Sequence, residues 1–147
     1  MNIEIKKGME NLIFGMTKSE IEKILGQPDK INTEELTDFV VYYYNRLYAK
    51  LKFHIKSQYK LKTIETYNIE TNLFGQKIHN KTKQEIISLL RDNNISINLL
   101  ELNDYYDFDT IFVNPLYMTF MFMFDKLVSV EFSEGKETQK NRGDDSL

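Results

Sequence analysis

The chain has 147 residues, of which 41% are hydrophobic and 28% charged, with a formal net charge of −3 and no cysteine or tryptophan. These values are typical of one globular domain, and they exclude a disulfide-stapled scaffold, a cysteine-ligated metal site and a thiol nucleophile. The excess of acidic residues argues against a nucleic-acid-binding protein that neutralises phosphates, so we expect no nucleic-acid partner.

The first residues, MNIEIKKGMENL, carry charges at Glu4, Lys6 and Lys7, and therefore do not fit a signal peptide. The longest uncharged stretch, residues 110–124, is also shorter than the ~20 residues of a membrane-spanning helix. Together these features predict a cytoplasmic protein with no membrane partner.

Two similar segments predict short helices. Residues 17–25 (TKSEIEKIL) and 82–90 (TKQEIISLL) are identical at five of nine positions. Each begins with a threonine suited to the N-cap and has a glutamate three residues later, which is the spacing of a capping box. This internal similarity predicts that the chain contains a duplicated unit.

Aromatic and β-branched residues predict three strands after each helix. The predicted ranges are 38–45, 47–56 and 60–68 in the first half, and 107–114, 116–124 and 126–133 in the second. The expected fold class is therefore α+β: two tandem copies of a helix plus a three-stranded antiparallel unit, with the helices on one face of the sheet.

The predicted domain covers residues 1–134 and contains two repeats, at about 8–68 and 76–133. Residues 135–147 contain one apolar side chain, so they predict a disordered tail.

The segment 15–28, GMTKSEIEKILGQP, resembles the "G-M-T, acidic, aliphatic, L-G-x-P" signature of small bacterial α+β repeats. That signature occurs in the SmpA/OmlA outer-membrane lipoproteins and in the tandem-repeat β-lactamase inhibitor proteins. The resemblance implies a tandem helix-plus-sheet layout. By analogy with such binding sheets, a cytoplasmic chain of this layout resembles an immunity protein for a bacterial toxin.

Alternation in the strand 116–124 predicts that Met118, Phe120, Phe122 and Phe124 point inward. The side chains predicted to point outward are Tyr117, Thr119, Met121 and Met123. Such an apolar stripe commonly marks an interaction site. The alternative is a strand that is buried on both faces.

Charge is also divided along the chain. Residues 46–62 contain six basic and no acidic residues, whereas residues 92–125 contain six acidic and no basic ones. The acidic segment combines carboxylates with tyrosines at Asp104, Tyr105, Tyr106, Asp107 and Asp109. This mixture suits a surface that attracts and anchors a basic protein. The alternative is a solvated loop with one aromatic ring turned into the core.

No motif for a hydrolase or a nucleotide-binding protein is present, and His54 and His79 stand in no metal-binding pattern. Asp107 and Asp109 could share one face of a strand and bind Ca²⁺, but no glycine turn or further ligand accompanies them. We therefore expect no enzymatic activity, no metal and no cofactor.

The leading hypothesis is an immunity protein that occludes the active site of a basic bacterial toxin domain, possibly a nuclease, and that is a monomer or weak dimer when free. The alternative is an assembly module that uses the open sheet face to dimerise or to dock onto a larger complex. The predicted partner-binding residues are those of the acidic segment and of the outward stripe: Asp104, Tyr105, Tyr106, Asp107, Asp109, Tyr117, Thr119, Met121 and Met123.

Overall fold

The structure, a computed structural model, describes residues 1–96, 98, 100–105 and 108–135, without the side chain of Pro115. Its elements in chain order are β1 (Ile3–Glu4), β2 (Gly8–Met9), β3 (Leu12–Ile13), α1 (Lys18–Leu25), β4 (Lys30–Glu34), β5 (Phe39–Tyr44), β6 (Ala49–His54), β7 (Lys60–Thr66), β8 (Asn72–Leu73), β9 (Gln76–Lys77), α2 (Lys83–Asp92), β10 (Leu100–Asp104), β11 (Asp109–Val113), β12 (Met118–Met123) and β13 (Lys126–Ser133).

An eight-stranded antiparallel sheet forms the centre of the molecule, in the order β10-β11-β12-β13-β7-β6-β5-β4. The last strand of each half of the chain lies in the middle of this sheet, where Thr63–Thr66 of β7 pair with Val130–Ser133 of β13. The edges of the sheet are β4 and β10. The short strands β1–β3 and β8–β9 form separate small sheets.

Both helices begin at complete capping boxes, as the sequence predicts. The hydroxyl groups of Thr17 and Thr82 accept from the backbone N–H of Glu20 and Glu85, whose carboxylates accept from the threonine N–H in return. Each box satisfies backbone groups that the first helical turn would otherwise leave without a partner. The two predicted helices are therefore confirmed.

The core lies between the helices and one face of the sheet. Alternate residues of the central strands point into it, because successive side chains of a strand face opposite sides. Phe53, Phe120, Phe122 and Phe132 are all fully buried there. The apolar positions of the helices complete this core, and they are Ile21, Ile86, Ile87, Leu89 and Leu90.

The opposite face of the sheet, which we call the open face, carries mostly polar and charged residues. Ion pairs cross its strands, with Lys52 Nζ lying 3.3 Å from Glu131 and Lys50 Nζ 4.0 Å from Glu65. Val41 also belongs to this face, where the paired positions place it between Asn32 and Lys52, and it is only 2% exposed. Val41 is thus shielded from water although it lies on this face.

The predicted fold class was wrong. The molecule is mostly β, with one eight-stranded sheet, rather than two tandem units of a helix plus three strands. Within this sheet, the strands that the sequence did not predict are β4 (KINTE) and β10 (LELND), at the two edges. An edge strand has one side in solvent and needs few apolar residues. The apolar residues of these two strands are only Ile31 in β4 and Leu100 and Leu102 in β10, which is too short a pattern to predict a strand.

The tail predicted for residues 135–147 lies outside the described residues, except for Gly135. The predicted domain boundaries stay a prediction. Within the described part of the chain, neither helix has the length and apolar character needed to cross a membrane.

Candidate protein-binding site

Two turns meet at one end of the sheet, beside the N-terminus of α2. The first connects β10 to β11, and the second, Phe124–Asp125, connects β12 to β13. Neighbouring strands lie ~4.8 Å apart, so the centres of the two turns are about 10 Å apart. We call this end of the molecule the acidic tip. Its described residues are Asp104, Tyr105, Phe108, Asp109, Phe124 and Asp125.

Lys83, the first residue of α2, links the two turns. Its Nζ lies 2.8 Å from Asp109 Oδ2, and its backbone N–H donates to Asp125 Oδ1 at 3.1 Å. The side chains of Lys83 and Asp109 are 33% and 23% exposed, so this ion pair is partly shielded from water. The contacts hold both turns against the start of the helix.

The charges of the acidic tip shift two pKa values in opposite directions. The hydrogen bond from Lys83 lowers the pKa of Asp109 below its ordinary value. The hydrogen bond to Asp109 raises the pKa of Lys83, and the negative charges of Asp109, Asp104 and Asp125 add to this effect. Three carboxylates thus surround a single ammonium group, which leaves the tip with an excess of negative charge.

Two aromatic rings stack at the first turn. The rings of Tyr105 and Phe108 have centroids 4.7 Å apart and planes 26° apart, and the Tyr105 N–H donates to the Phe108 carbonyl oxygen at 2.8 Å. Tyr105 remains 54% exposed. The pair presents a broad aromatic surface beside the carboxylates.

Phe124 stands at the second turn in a conformation that does not suit it. It is 93% exposed, and both Phe124 and Asp125 have a positive φ, of 52° and 59°. A two-residue hairpin turn with two positive φ angles favours Asn-Gly or Asp-Gly. A phenylalanine here strains the backbone and exposes an apolar ring to water, and neither effect stabilises the fold.

The structure brings together only some of the predicted partner-binding residues. Asp104, Tyr105 and Asp109 belong to the acidic tip, and Met123, 43% exposed, immediately precedes Phe124. Tyr106 and Asp107 lie outside the described residues.

The remaining predicted residues lie elsewhere. Thr119 and Met121 are half-buried on the open face, next to Glu131 and Ser129 of β13. Tyr117 lies at the far end of β12, where its ring covers Gly135. It lines a separate concavity of about 420 Å³ with residues that include Phe39, His54, Lys62 and Glu134.

The sequence does not identify three residues as part of this site: Phe124 and Asp125 of the acidic tip, and Lys83, which binds to it. The prediction that Phe124 points inward was wrong, because β12 ends at Met123 and the chain turns at the next residue. Strict alternation extends the strand one residue too far. The signal that marks the turn is the pair of charged residues, Asp125 and Lys126, between two apolar runs.

The chain matches no protein-family model, and no curated protein matches it. Solved structures share its fold. An extracellular protein containing an SCP domain, from Bacillus anthracis str. Ames, is similar with a TM-score of 0.52 and 14% identity over 97% of this chain. The chain covers 50% of that protein, or about half its length.

The DUF4309 family protein YjgB from Bacillus subtilis subsp. subtilis str. 168 is similar with a TM-score of 0.51 and 14% identity. That match covers 85% of this chain and 83% of YjgB. At such low identity, both comparisons show a shared fold and nothing about activity.

Proposed function

We propose that this protein is a binding module whose acidic tip docks onto a basic protein. The observation that carries the proposal is Phe124, a 93% exposed aromatic residue at a turn position with φ 52°. A residue that costs stability without contributing to the core is typical of a site kept for function. Aromatic anchors surrounded by charges are the usual centres of protein interfaces.

The charge around Phe124 supports a basic partner. Asp104, Asp109 and Asp125 lie at the same end of the sheet, and Lys83 neutralises only part of their charge. Opposite charges across an interface speed the encounter of two proteins and select the correct partner. A partner that presents lysine or arginine around an apolar pocket fits both the carboxylates and the exposed rings of Phe124 and Tyr105.

The most specific form of this proposal is an immunity protein that inhibits a basic bacterial toxin domain by covering its active site. A nuclease is a suitable target, since its substrate-binding cleft must be basic to accept phosphates. The inhibitor would act by steric occlusion and would need no catalytic group of its own. The cytoplasmic location, like the absence of enzymatic activity, stays a prediction.

The test is a comparison of two double variants in a pull-down from a lysate of the native host. Phe124→Ser with Asp104→Lys alters the acidic tip. The control, Glu35→Lys with Leu36→Ser, makes the same kind of change at the β4–β5 turn, where Leu36 is also fully exposed. Mass spectrometry then quantifies the retained proteins at low and high salt.

We expect a basic protein that the wild-type chain and the control retain, and that the tip variant and high salt release. Inhibition of that protein's toxicity by the wild-type chain, and not by the tip variant, would support the immunity function. Equal retention by both double variants would contradict docking through the acidic tip.

A further inference from the structure

The edge strand β4 is complementary to itself. Its sequence is Lys30-Ile31-Asn32-Thr33-Glu34, with a cation at one end and an anion at the other. If two copies paired antiparallel about Asn32, Lys30 of each copy would face Glu34 of the other, and Ile31 would face Thr33. Opposite charges placed directly across a strand pair stabilise it, so this register joins two favourable pairs.

The side chains of β4 are available for such pairing. Lys30, Asn32 and Glu34 share the open face, and the first four residues of the strand are exposed. Lys30 Nζ lies over the Tyr43 ring, 5.2 Å from its centroid. Among the described residues, neither Lys30 nor Glu34 forms an ion pair, so each can accept a partner from a second copy.

An exposed apolar side chain accompanies the charges on the helix side of the sheet. Ile31 is 54% exposed there. A strand added beside β4 would remove part of this apolar surface from water. It would also pair the backbone groups that an edge strand leaves open.

The other edge of the sheet lacks this complementarity. Self-pairing of β10 about Leu102 would place Glu101 opposite Asn103 and Asp104 opposite Leu100, so the strand pair would contain four carboxylates and no opposite-charge pair. This register therefore lacks the opposite-charge pairs that stabilise two paired strands. The two edges therefore differ, and only β4 favours a second copy of this chain.

We propose that two copies of this protein associate through antiparallel pairing of β4 with β4 about Asn32, which extends the sheet to sixteen strands. This pairing closes on itself by two-fold symmetry, so it yields a dimer rather than a filament. It leaves the acidic tip free, since β10 and β4 lie at opposite edges of the sheet. The dimer would thus carry two separate acidic tips.

Disulfide trapping tests the register, because the chain contains no cysteine. Residues directly opposite in an antiparallel pair have Cα atoms about 4.5–5.5 Å apart, within the range of a disulfide. We expect Asn32→Cys to cross-link rapidly into a dimer under mild oxidation. Lys30→Cys alone should not cross-link, because the two cysteines at position 30 would be more than about 13 Å apart. Lys30→Cys combined with Glu34→Cys should cross-link, because positions 30 and 34 would face each other. Leu102→Cys is the control at the other edge.

Sedimentation equilibrium of the cysteine-free chain tests whether the charges of Lys30 and Glu34 stabilise the dimer. The protein concentration runs from about 1 µM to about 1 mM, the range in which small interfaces associate. Lys30→Glu and Glu34→Lys should each weaken dimerisation about tenfold or more, and the double exchange should restore it. A monomer throughout this range, assemblies larger than a dimer, or cross-linking of Leu102→Cys as fast as that of Asn32→Cys would overturn the proposal. Circular dichroism verifies that every variant is folded.

Discussion

The ammonium group of Lys83 lies 2.8 Å from a carboxylate oxygen of Asp109, and it ties the start of α2 to the start of β11. We expect Lys83→Gln to raise the pKa of Asp109 towards its ordinary value of 3.8, because the hydrogen bond from Lys83 is the largest cause of its lowering. NMR titration of the Asp109 carboxyl carbon measures this change. Lys83→Arg is the control, and it should keep the pKa low.

The same pair makes stability depend on pH. A carboxyl group whose pKa is lowered in the folded state stabilises that state at any pH above the group's pKa in the unfolded chain. This stabilisation is lost as the pH falls through the pKa of the folded state. The raised pKa of Lys83 acts at the other end, since its contribution is lost as the pH rises beyond 10.5. Lys83→Gln should flatten both slopes in unfolding experiments. Unchanged slopes would show that the pair does not contribute to folding.

Replacement of Phe124 by asparagine should separate stability from binding. Asparagine accepts a positive φ more readily than phenylalanine, so we expect Phe124→Asn to increase the free energy of unfolding by about 1 kcal/mol. Loss of an aromatic anchor should weaken partner binding by about 2 kcal/mol. Urea unfolding and calorimetric titration measure the two effects. A variant that is less stable and binds as well as the wild type would show that Phe124 serves the fold.

The buried Tyr44 predicts sensitivity to alkali. Its hydroxyl donates to the Gly26 carbonyl oxygen at 2.9 Å, and burial, together with the nearby charge of Glu22, raises its pKa to about 12. The unfolded chain ionises this group near pH 10, so stability falls as the pH rises from 10 towards 12. Tyr44→Phe should cost about 1 kcal/mol at neutral pH and reduce this alkaline loss. Chemical unfolding at several pH values measures both, and Tyr48→Phe, at an exposed tyrosine, is the control.

Gly8 has no room for a side chain. A Cβ atom added there would lie 2.0 Å from the Leu12 carbonyl oxygen, and its φ is 149°. Gly8→Ala should therefore reduce the free energy of unfolding by more than about 2 kcal/mol. Gly75→Ala is the matched control, since it also has a positive φ but no atom within 4 Å of the added Cβ. Equal losses in the two variants would show that the contact with the Leu12 carbonyl oxygen adds no cost.

The sequence predicts best those elements whose signal is local. The capping boxes at Thr17 and Thr82 identify both helices, because their hydrogen bonds join residues only three apart. The edge strands β4 and β10 are missed, since their pairing with β5 and β11 does not require apolar residues. The strand count, and with it the fold class, depends on such pairing.

The candidate site could be predicted only in part for the same reason. Asp104, Tyr105 and Asp109 are close in sequence, and their composition alone indicates an acidic aromatic surface. Lys83 and Asp125 join them only because α2 packs against two hairpins. Lys83 is 26 residues away from Asp109 in the chain and 42 residues away from Asp125. No local pattern records such contacts.

The central pairing of β7 with β13 has a consequence for how the protein is made. The paired residues of these strands are more than sixty positions apart in the chain. The side of β7 that pairs with β13 therefore has no partner until β13 has left the ribosome. Until then, β7 is an unpaired edge strand, and it carries the apolar side chain of Ile64. Contacts between such distant residues form slowly, and an uncovered edge favours aggregation. The nascent chain is thus most exposed to misassembly just before the synthesis of β13, when chaperones would be of most use.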